Sequence, residues 1–313
     1  MTATSAGLQL LLPLVLVCMV VFPPMSRLTR AVWVVALGML FWFAALAVAW
    51  TMPPLWALWV YVAFLGLGTC AAFRRPAPTL PTRRLGVLAL AGGGLACAGS
   101  AAVLIATLVD DPRPPEGAAL VDLAAPLEPG AYLAVHAGAS ATRNAHAAFV
   151  LTSENAARFS GQKYAVDFLA LGPLWQTGPL RAPGATSDYT IWNRAVLAPC
   201  SGQVLTARDD LPDMAPPTRD RTDLAGNHVI LECGGNHVVL AHLRRGSVDV
   251  KPGDAVETGA PLGRVGNSGN TTQPHLHLHV QTPGTRDAPL SGSSIPFTVD
   301  GQWLVRNDRI RFD

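Results

Sequence analysis

The first third of this chain leaves little freedom in what it can become. Four apolar runs, Leu8 to Phe22, Ala31 to Trp50, Pro54 to Phe73 and Leu85 to Val109, contain no Asp, Glu, Lys, Arg or His. About 20 largely apolar residues are needed for a helix to cross the hydrocarbon core of a bilayer, so residues 1–110 predict an all-α transmembrane bundle of about four helices. The first run lacks a basic leader and three more follow it, which reads as an anchor rather than a cleaved signal. Charged residues make up only 14% of the 313, well under the roughly 25% of a soluble domain. The lipid bilayer is therefore an expected partner.

Arginines accumulate on the cytoplasmic side of such helices. Arg27 and Arg30 follow the first run, and Arg74, Arg75, Arg83 and Arg84 follow the third. Thr51 to Pro53 carries no charge, and the exit from the fourth run, Asp110 to Glu116, is acidic and Pro-rich. This bias places both termini outside the cytoplasm. The small residues around Gly92-Gly93-Gly94 would allow close helix packing.

From Pro112 the texture changes to short β-rich runs punctuated by Gly, Pro, Asn and Asp, the pattern of an all-β domain. The reading is a linker over 111–130, a domain over 131–285 and a tail over 286–313 that forms a hairpin about Asp300-Gly301. Expected strands are Tyr164 to Leu169, Arg194 to Ala198, Gly202 to Arg208, His228 to Cys233, His237 to Leu243, Leu262 to Gly266 and His275 to Gln281. Helical periodicity is confined to Ser153 to Phe159. The stretch Arg208 to Gly226 exceeds a hairpin loop, a length associated with function or mobility. No dense Lys/Arg tract occurs, which argues against nucleic acid as a partner. Of five cysteines, Cys18, Cys70 and Cys97 sit in apolar runs, while Cys200 and Cys233 lie in expected strands outside the membrane and are expected to form a disulfide.

Five of the eight histidines lie between His237 and His279, and three alternate in His275-Leu276-His277-Leu278-His279. Alternate strand residues face the same way, so these imidazoles, common neutral metal ligands, share a face opposite Leu276 and Leu278. On this pattern alone a metal site competes with a solvated face.

The stretch Val248 to Val280, VDVKPGDAVETGAPLGRVGNSGNTTQPHLHLHV, resembles the C-terminal signature of lysostaphin-type metallopeptidases, which are murein endopeptidases. Gly226 to Ile230, Val239 to Leu243 and Ala198 to Val204 are similar to that family's strands, and the likeness spans roughly residues 160 to 282. The resemblance implies an antiparallel sheet of lysostaphin-type architecture and a Zn2+ ion bound by Asp167, in Tyr164-Ala165-Val166-Asp167-Phe168, and by His277. It implies that His242 and His275 polarise the attacking water and stabilise the oxyanion. The substrate implied is the peptide part of peptidoglycan, cut on the outer face of a bacterial cell membrane.

The family places a histidine four residues before the aspartate, where this chain has Lys163. Lysine is protonated near neutral pH and is not a usual zinc ligand. Either the centre is degenerate or another histidine takes the place. His146 is the candidate, because a subgroup pairs Asn-x-His with Gln-x-Tyr-Ala-x-Asp, here Asn144-Ala145-His146 and Gln162 to Asp167. His279 is assigned a place behind the ligands or in packing, His228 and His237 a structural or exposed one, and His136 no partner. The glycines Gly263, Gly266 and Gly269 lack the spacing and the following helix of a phosphate loop.

Three readings follow. The first is a membrane-anchored zinc peptidase, and the second a degenerate relative acting as a cell-wall binding or regulatory module, for which Lys163 speaks. The third is a biotinyl- or lipoyl-like barrel, suggested by Val250 to Val256 followed by Gly259, but no lysine sits in a suitable turn and the histidine strand has no purpose there.

Overall fold

The computed structural model describes residues 13–18, 20–21, 26–47, 56–74, 83–152, 159–178, 184–285 and 288–313. The chain divides into two units, Thr4–Asp111 and a second that begins at Pro112 and runs to Asp313. In the first, three helices among the described residues are long and apolar enough to cross a membrane: Arg27–Ala47, Trp56–Phe73 and Arg83–Leu108. Residues 13–18 and 20–21 are also helical, but the rest of the expected first run lies outside the described residues.

Leu67, Leu88, Leu95, Ile105 and Leu108 are all exposed in this unit. Apolar surface of that extent matches hydrocarbon rather than water, consistent with a membrane anchor. Helices Arg27–Ala47 and Arg83–Leu108 meet at small residues. Trp33 Nε1 donates to the Ala89 carbonyl at 3.1 Å, and a Cβ on Gly93 would lie 3.0 Å from that nitrogen, whereas Gly94 faces open space. Arg30, expected in a connection, lies inside the helix and is buried. Its guanidinium donates to the carbonyls of Val20 and Val21 at 2.8 and 2.7 Å, which satisfies acceptors that a helix end leaves free.

The second unit contains β1 (Val121–Leu123), β2 (Gly130–His136), helix Ala145–Thr152, a 3-10 turn at Ser160–Tyr164, β3 (Val166–Ala170), β4 (Ala195–Leu197), β5 (Gly202–Arg208), β6 (Asn227–Cys233), β7 (Asn236–Leu243), β8 (Ala255–Val256), β9 (Pro261–Arg264), β10 (Leu276–Gln281), β11 (Ser294–Ile295), β12 (Phe297–Val299) and β13 (Arg309–Phe312). One antiparallel sheet runs β13-β2-β3-β10-β7-β6-β5-β8, with β11 beside β10. β4 pairs with β9, and β1 pairs with β12 in parallel. The Asp300-Gly301 turn does place Val299 opposite Gln302, while the last strand, β13, leaves that turn and extends the main sheet beside β2.

Period-two alternation explains which face is the core. Leu276, Leu278 and Val280 are fully buried on one side of β10, and Leu278 pairs with Val166 and Leu240 while Leu276 pairs with Phe168. The opposite face of the same strand carries the histidines. The sequence pattern did not reveal helix Ala145–Thr152, because eight residues are too few to display a helical period. Of the helix expected over Ser153 to Phe159, residues 153–158 lie outside the described residues.

The long connection between β5 and β6 is tied to the sheet rather than loose. Asp213 accepts from the backbone N–H of Asn267 at 2.7 Å and of Arg245 at 3.1 Å, and Asn270 N–H donates to the Leu224 carbonyl at 3.0 Å. Its end packs where only glycines fit: Gly226 has φ +62° and Gly269 φ +84°, and a Cβ on Gly269 would strike the Gly226 backbone.

Cys200 and Cys233 form a disulfide across 33 residues of chain, with Cα atoms 6.2 Å apart. A closed loop of that size stabilises a fold by roughly 3 to 4 kcal/mol by the chain-entropy account. Thiol labelling of unfolded, non-reduced protein is therefore expected to miss both cysteines, and Cys200→Ser should lower stability by about that amount in a chemical denaturation of the second unit.

Candidate metal centre

Asp167 is the middle of the site because of register. On β3 it lies opposite His277 of β10 on one side and His136 of β2 on the other, so its carboxylate and their imidazoles share a face. His277 Nδ1 stands 3.0 Å from Asp167 Oδ1. His146 Nε2 stands 3.0 Å from Asp167 Oδ2, and His275 Nε2 lies 3.6 Å from the same oxygen. Candidate ligand atoms of His146, Asp167 and His277 all fall within 4.8 Å of one another.

His146 arrives from the first turn of helix Ala145–Thr152, and Asn144 sets that helix. The Asn144 side chain is buried, donates to the carbonyls of Gly138 and Ala165 at 2.9 and 3.0 Å, and accepts from the His146 N–H at 3.0 Å. This is an N-cap, and it gives the Asn-x-His element a physical meaning. Gln162 does the same for its element: its Oε1 lies 3.1 Å from His146 Nδ1. The Gln162 oxygen and the Asp167 carboxylate both only accept, so the ring donates from both nitrogens, and with Nδ1 committed to Gln162, Nε2 is the nitrogen that would face a metal. Lys163 is not in the centre, since its ammonium lies over the Tyr164 ring, 5.0 Å from the centroid.

His242 reaches the site against strand alternation. Its neighbour Ala241 pairs with His277 and so already occupies the site face, which would turn His242 to the other side. A backbone φ of +64° at His242, beside a bulge between Asn227 and His228, swings the ring back. Its ring centroid lies 4.6 Å from that of His275 and 5.8 Å from that of His277. A left-handed non-glycine residue costs on the order of 1 to 3 kcal/mol and is concentrated at functional sites. Carbonyls again fix the tautomers: Ser268 O is 2.9 Å from His242 Nδ1, and Gln273 O is 2.9 Å from His275 Nδ1. Each keeps Nε2 for the centre.

Electrostatics follow from burial. Burial would raise the Asp167 carboxyl, but the charges of His146 and His275 and hydrogen bonds from His146 and His277 hold it well below the usual carboxylate range. Burial would lower His146, yet the Asp167 charge and its hydrogen bonds to Asp167 and Gln162 raise it. Burial, with repulsion from His275 and His277, pushes His242 well below the ordinary imidazole value. His277 falls to about 4, chiefly by burial. The centre thus favours a positive charge on His146 beside the carboxylate and keeps His242 and His277 neutral, the form in which imidazole binds metal. Two imidazoles and a carboxylate whose lone pairs converge are a usual donor set for a catalytic zinc, which takes three protein ligands and leaves a position open.

The five site residues expected from the sequence, His146, Asp167, His242, His275 and His277, are brought together. Two further histidines join them: His279, expected behind the ligands or in packing, and His136, for which no partner was expected. His279 Nδ1 is 2.9 Å from His277 Nε2, a contact that strand alternation foreshadowed. His136 lies edge-on to His146 with centroids 5.9 Å apart and accepts from Arg306 at 3.2 Å; no local pattern links residues 170 positions apart. His228 is buried and hydrogen bonded to the Gly226 carbonyl at 2.8 Å. A cleft beside the centre is walled by Phe149, Phe159, Leu224 and Leu290.

Residues 187–289 match Peptidase family M23, so this part of the chain is an M23, lysostaphin-type, peptidase domain. The match includes His242, His275 and His277 and begins after His146 and Asp167. Similar solved structures include a zinc-containing peptidase from Vibrio cholerae, 22% identical over 37% of this chain and 26% of that one, with a TM-score of 0.25. Lysostaphin, described as the antimicrobial peptidase from Staphylococcus simulans, is 22% identical over 40% of each chain, TM-score 0.26. Csd3 from Helicobacter pylori is 20% identical over 48% of this chain and 29% of that one, TM-score 0.25. The likeness thus spans less than half the length of each of these proteins. No curated protein matches the chain.

His136 yields a pH prediction. Burial lowers it to about 4 from an ordinary 6.5, against the pull of Asp167. Between those values the unfolded chain binds the proton and the folded chain refuses it, so stability rises with pH across that window. The contribution is complete above about pH 6.5 and is lost as pH falls toward 4. His136→Gln, which still accepts from Arg306, should flatten the slope between pH 4 and 6.5 in denaturant titrations of metal-free protein.

Proposed function

We propose that this chain is a membrane-anchored zinc metalloendopeptidase that hydrolyses peptide cross-links of bacterial peptidoglycan on the outer side of the cell membrane. The observation that carries the reading is the convergence of His146 Nε2, the Asp167 carboxylate and His277 Nδ1, with the ring of His242 tilted against that of His275, centroids 4.6 Å apart. These three residues would hold the zinc ion. When bound, zinc supplies a Lewis acid and lowers the pKa of a water it holds to about 7.

The chain's own residues supply the proton chemistry. His242 and His275 each commit Nδ1–H to a backbone carbonyl, so each takes up or releases a proton at one defined atom, Nε2. A neutral imidazole there serves as general base toward the attacking water. Once protonated, the same nitrogen is a donor toward the oxyanion that develops on the scissile carbonyl. The depressed pKa of His242, caused first by burial and then by the neighbouring imidazoles, keeps it in the base form before attack. The walls formed by Phe149, Phe159, Leu224 and Leu290 restrict water and favour a peptide of small, apolar side chains.

The competing reading is a degenerate centre that binds the wall without cutting it, and Lys163 is the residue that favours it. Its ammonium is turned onto Tyr164 while His146 occupies the place beside Asp167, so a three-ligand set is complete without it. The arginine bias of the connections puts the centre on the substrate side of the membrane.

Zinc content and cleavage of cross-linked peptidoglycan by the purified full chain separate the two readings. His146→Ala is expected to lose tight zinc, because two protein ligands seldom retain a catalytic metal, and Lys163→Ala to keep it. His242→Ala and His275→Ala should retain zinc yet lose roughly 10² to 10⁴ in rate. A zinc-loaded chain with no hydrolysis would establish the binding module instead. For topology, a reporter fused after Asp313 should be active only outside the cytoplasm; cytoplasmic activity would exclude a cell-wall substrate.

A further inference from the structure

β10 continues past the ligands. His277, His279 and Gln281 alternate along it, and their polar atoms form a chain: His277 Nε2 to His279 Nδ1 at 2.9 Å, His279 Nε2 to Gln281 Oε1 at 3.1 Å, and Gln281 Nε2 to the Pro289 carbonyl at 2.7 Å. His279 and Gln281 are buried, Gln281 completely. Buried polar groups left without partners are costly, so each link is obliged to be made.

The direction of this chain can be read from its far end. The Pro289 carbonyl only accepts, so it takes the amide N–H₂ of Gln281 and turns Oε1 toward His279. That oxygen also only accepts, so His279 carries its proton at Nε2 and offers a bare Nδ1 to His277. His277 in turn donates from Nε2, which leaves Nδ1, 3.0 Å from Asp167 Oδ1, as the nitrogen that can give a lone pair to a metal ion there. Gly161 secures the amide, since a Cβ at that position would overlap the Gln281 side chain. It lies in the 3-10 turn Ser160–Tyr164, the same turn that supplies Gln162 to His146.

We propose that His279, oriented by Gln281, is a positioning residue that holds His277 in the one tautomer able to present Nδ1 to a metal ion beside Asp167. It touches neither metal nor substrate. This inference rests on the zinc-site reading for its purpose, while the tautomer itself rests on the hydrogen bonds alone. Partners that orient a ligating histidine are typically worth roughly 10- to 100-fold in metal affinity.

The test uses the full chain, histidine-labelled with ¹⁵N and purified in detergent. In the metal-free protein, ¹⁵N spectra should show protons on Nε2 of both His277 and His279 and none on Nδ1 of His279; a proton on His279 Nδ1 would overturn the proposal. Chelator competition with Zn2+ then reads the consequence. His279→Leu, which removes the acceptor, should weaken zinc binding by roughly 10- to 100-fold. His279→Asn, whose Oδ1 falls where Nδ1 stood, should stay near the unsubstituted protein. Equal affinity for His279→Leu, or a loss in His279→Asn as large as in His279→Leu, would also overturn it. If the unsubstituted chain bound no zinc, the zinc-site reading would fail, and the spectrum would still decide the tautomer.

Discussion

A single buried carboxylate governs the second unit. Asp167 is 4% exposed, and a carboxylate taken from water to such a place is tolerated only when charge and hydrogen bonds compensate it. Register supplies both, because β3 lies between β2 and β10 and puts an imidazole opposite Asp167 on either side. Helix Ala145–Thr152 then closes over it with His146. Slipping β10 by one residue would turn Leu276 and Leu278 onto the carboxylate and the histidines into the core. The apolar face of the sheet and the polar centre therefore enforce the same register, and neither can be altered alone.

What the sequence revealed depends on how local each signal was. The alternation in His275 to His279 exposes its face directly, and the apolar runs Ala31 to Trp50, Pro54 to Phe73 and Leu85 to Val109 became long helices with boundaries shifted by a few residues. His242 was reached only through resemblance, because simple alternation turns it away from the site and a left-handed residue at 242 cannot be seen in a pattern of apolar and polar letters. His136 was invisible for another reason. Its partners, Asp167 across the strand pair and Arg306 from beyond the sheet, come from distant parts of the chain, and long-range pairing leaves no local trace. β2 and β13 were missed together: β13 extends the sheet only by pairing with β2, which itself pairs with β3.

Lys163, the departure from the family pattern, has a setting that can be read from its neighbours. The residue four before the aspartate sits in a 3-10 turn, where the backbone, not the ammonium, faces the site: the Lys163 carbonyl accepts from Asn144 at 3.3 Å. That same asparagine caps the helix bearing His146. The turn and the helix are thus coupled through Asn144, and the placement of His146 beside Asp167 depends on the turn that carries the lysine.

The outer hydrogen bonds of the four histidines nearest the carboxylate share one property. Gln162 Oε1 accepts from His146, Ser268 O from His242, Gln273 O from His275, and bare His279 Nδ1 from His277. Every acceptor is uncharged, where a carboxylate in such a place would raise ligand basicity and add negative charge. Among these contacts Asp167 is the only anion, so a divalent cation in the centre would leave a net positive charge on a buried site. That excess would suit the proposed hydrolysis, in which an oxyanion forms from a neutral amide, since the charge would be balanced in the transition state and not before it. A second carboxylate among the outer partners would satisfy the ion in the resting state and remove part of that difference.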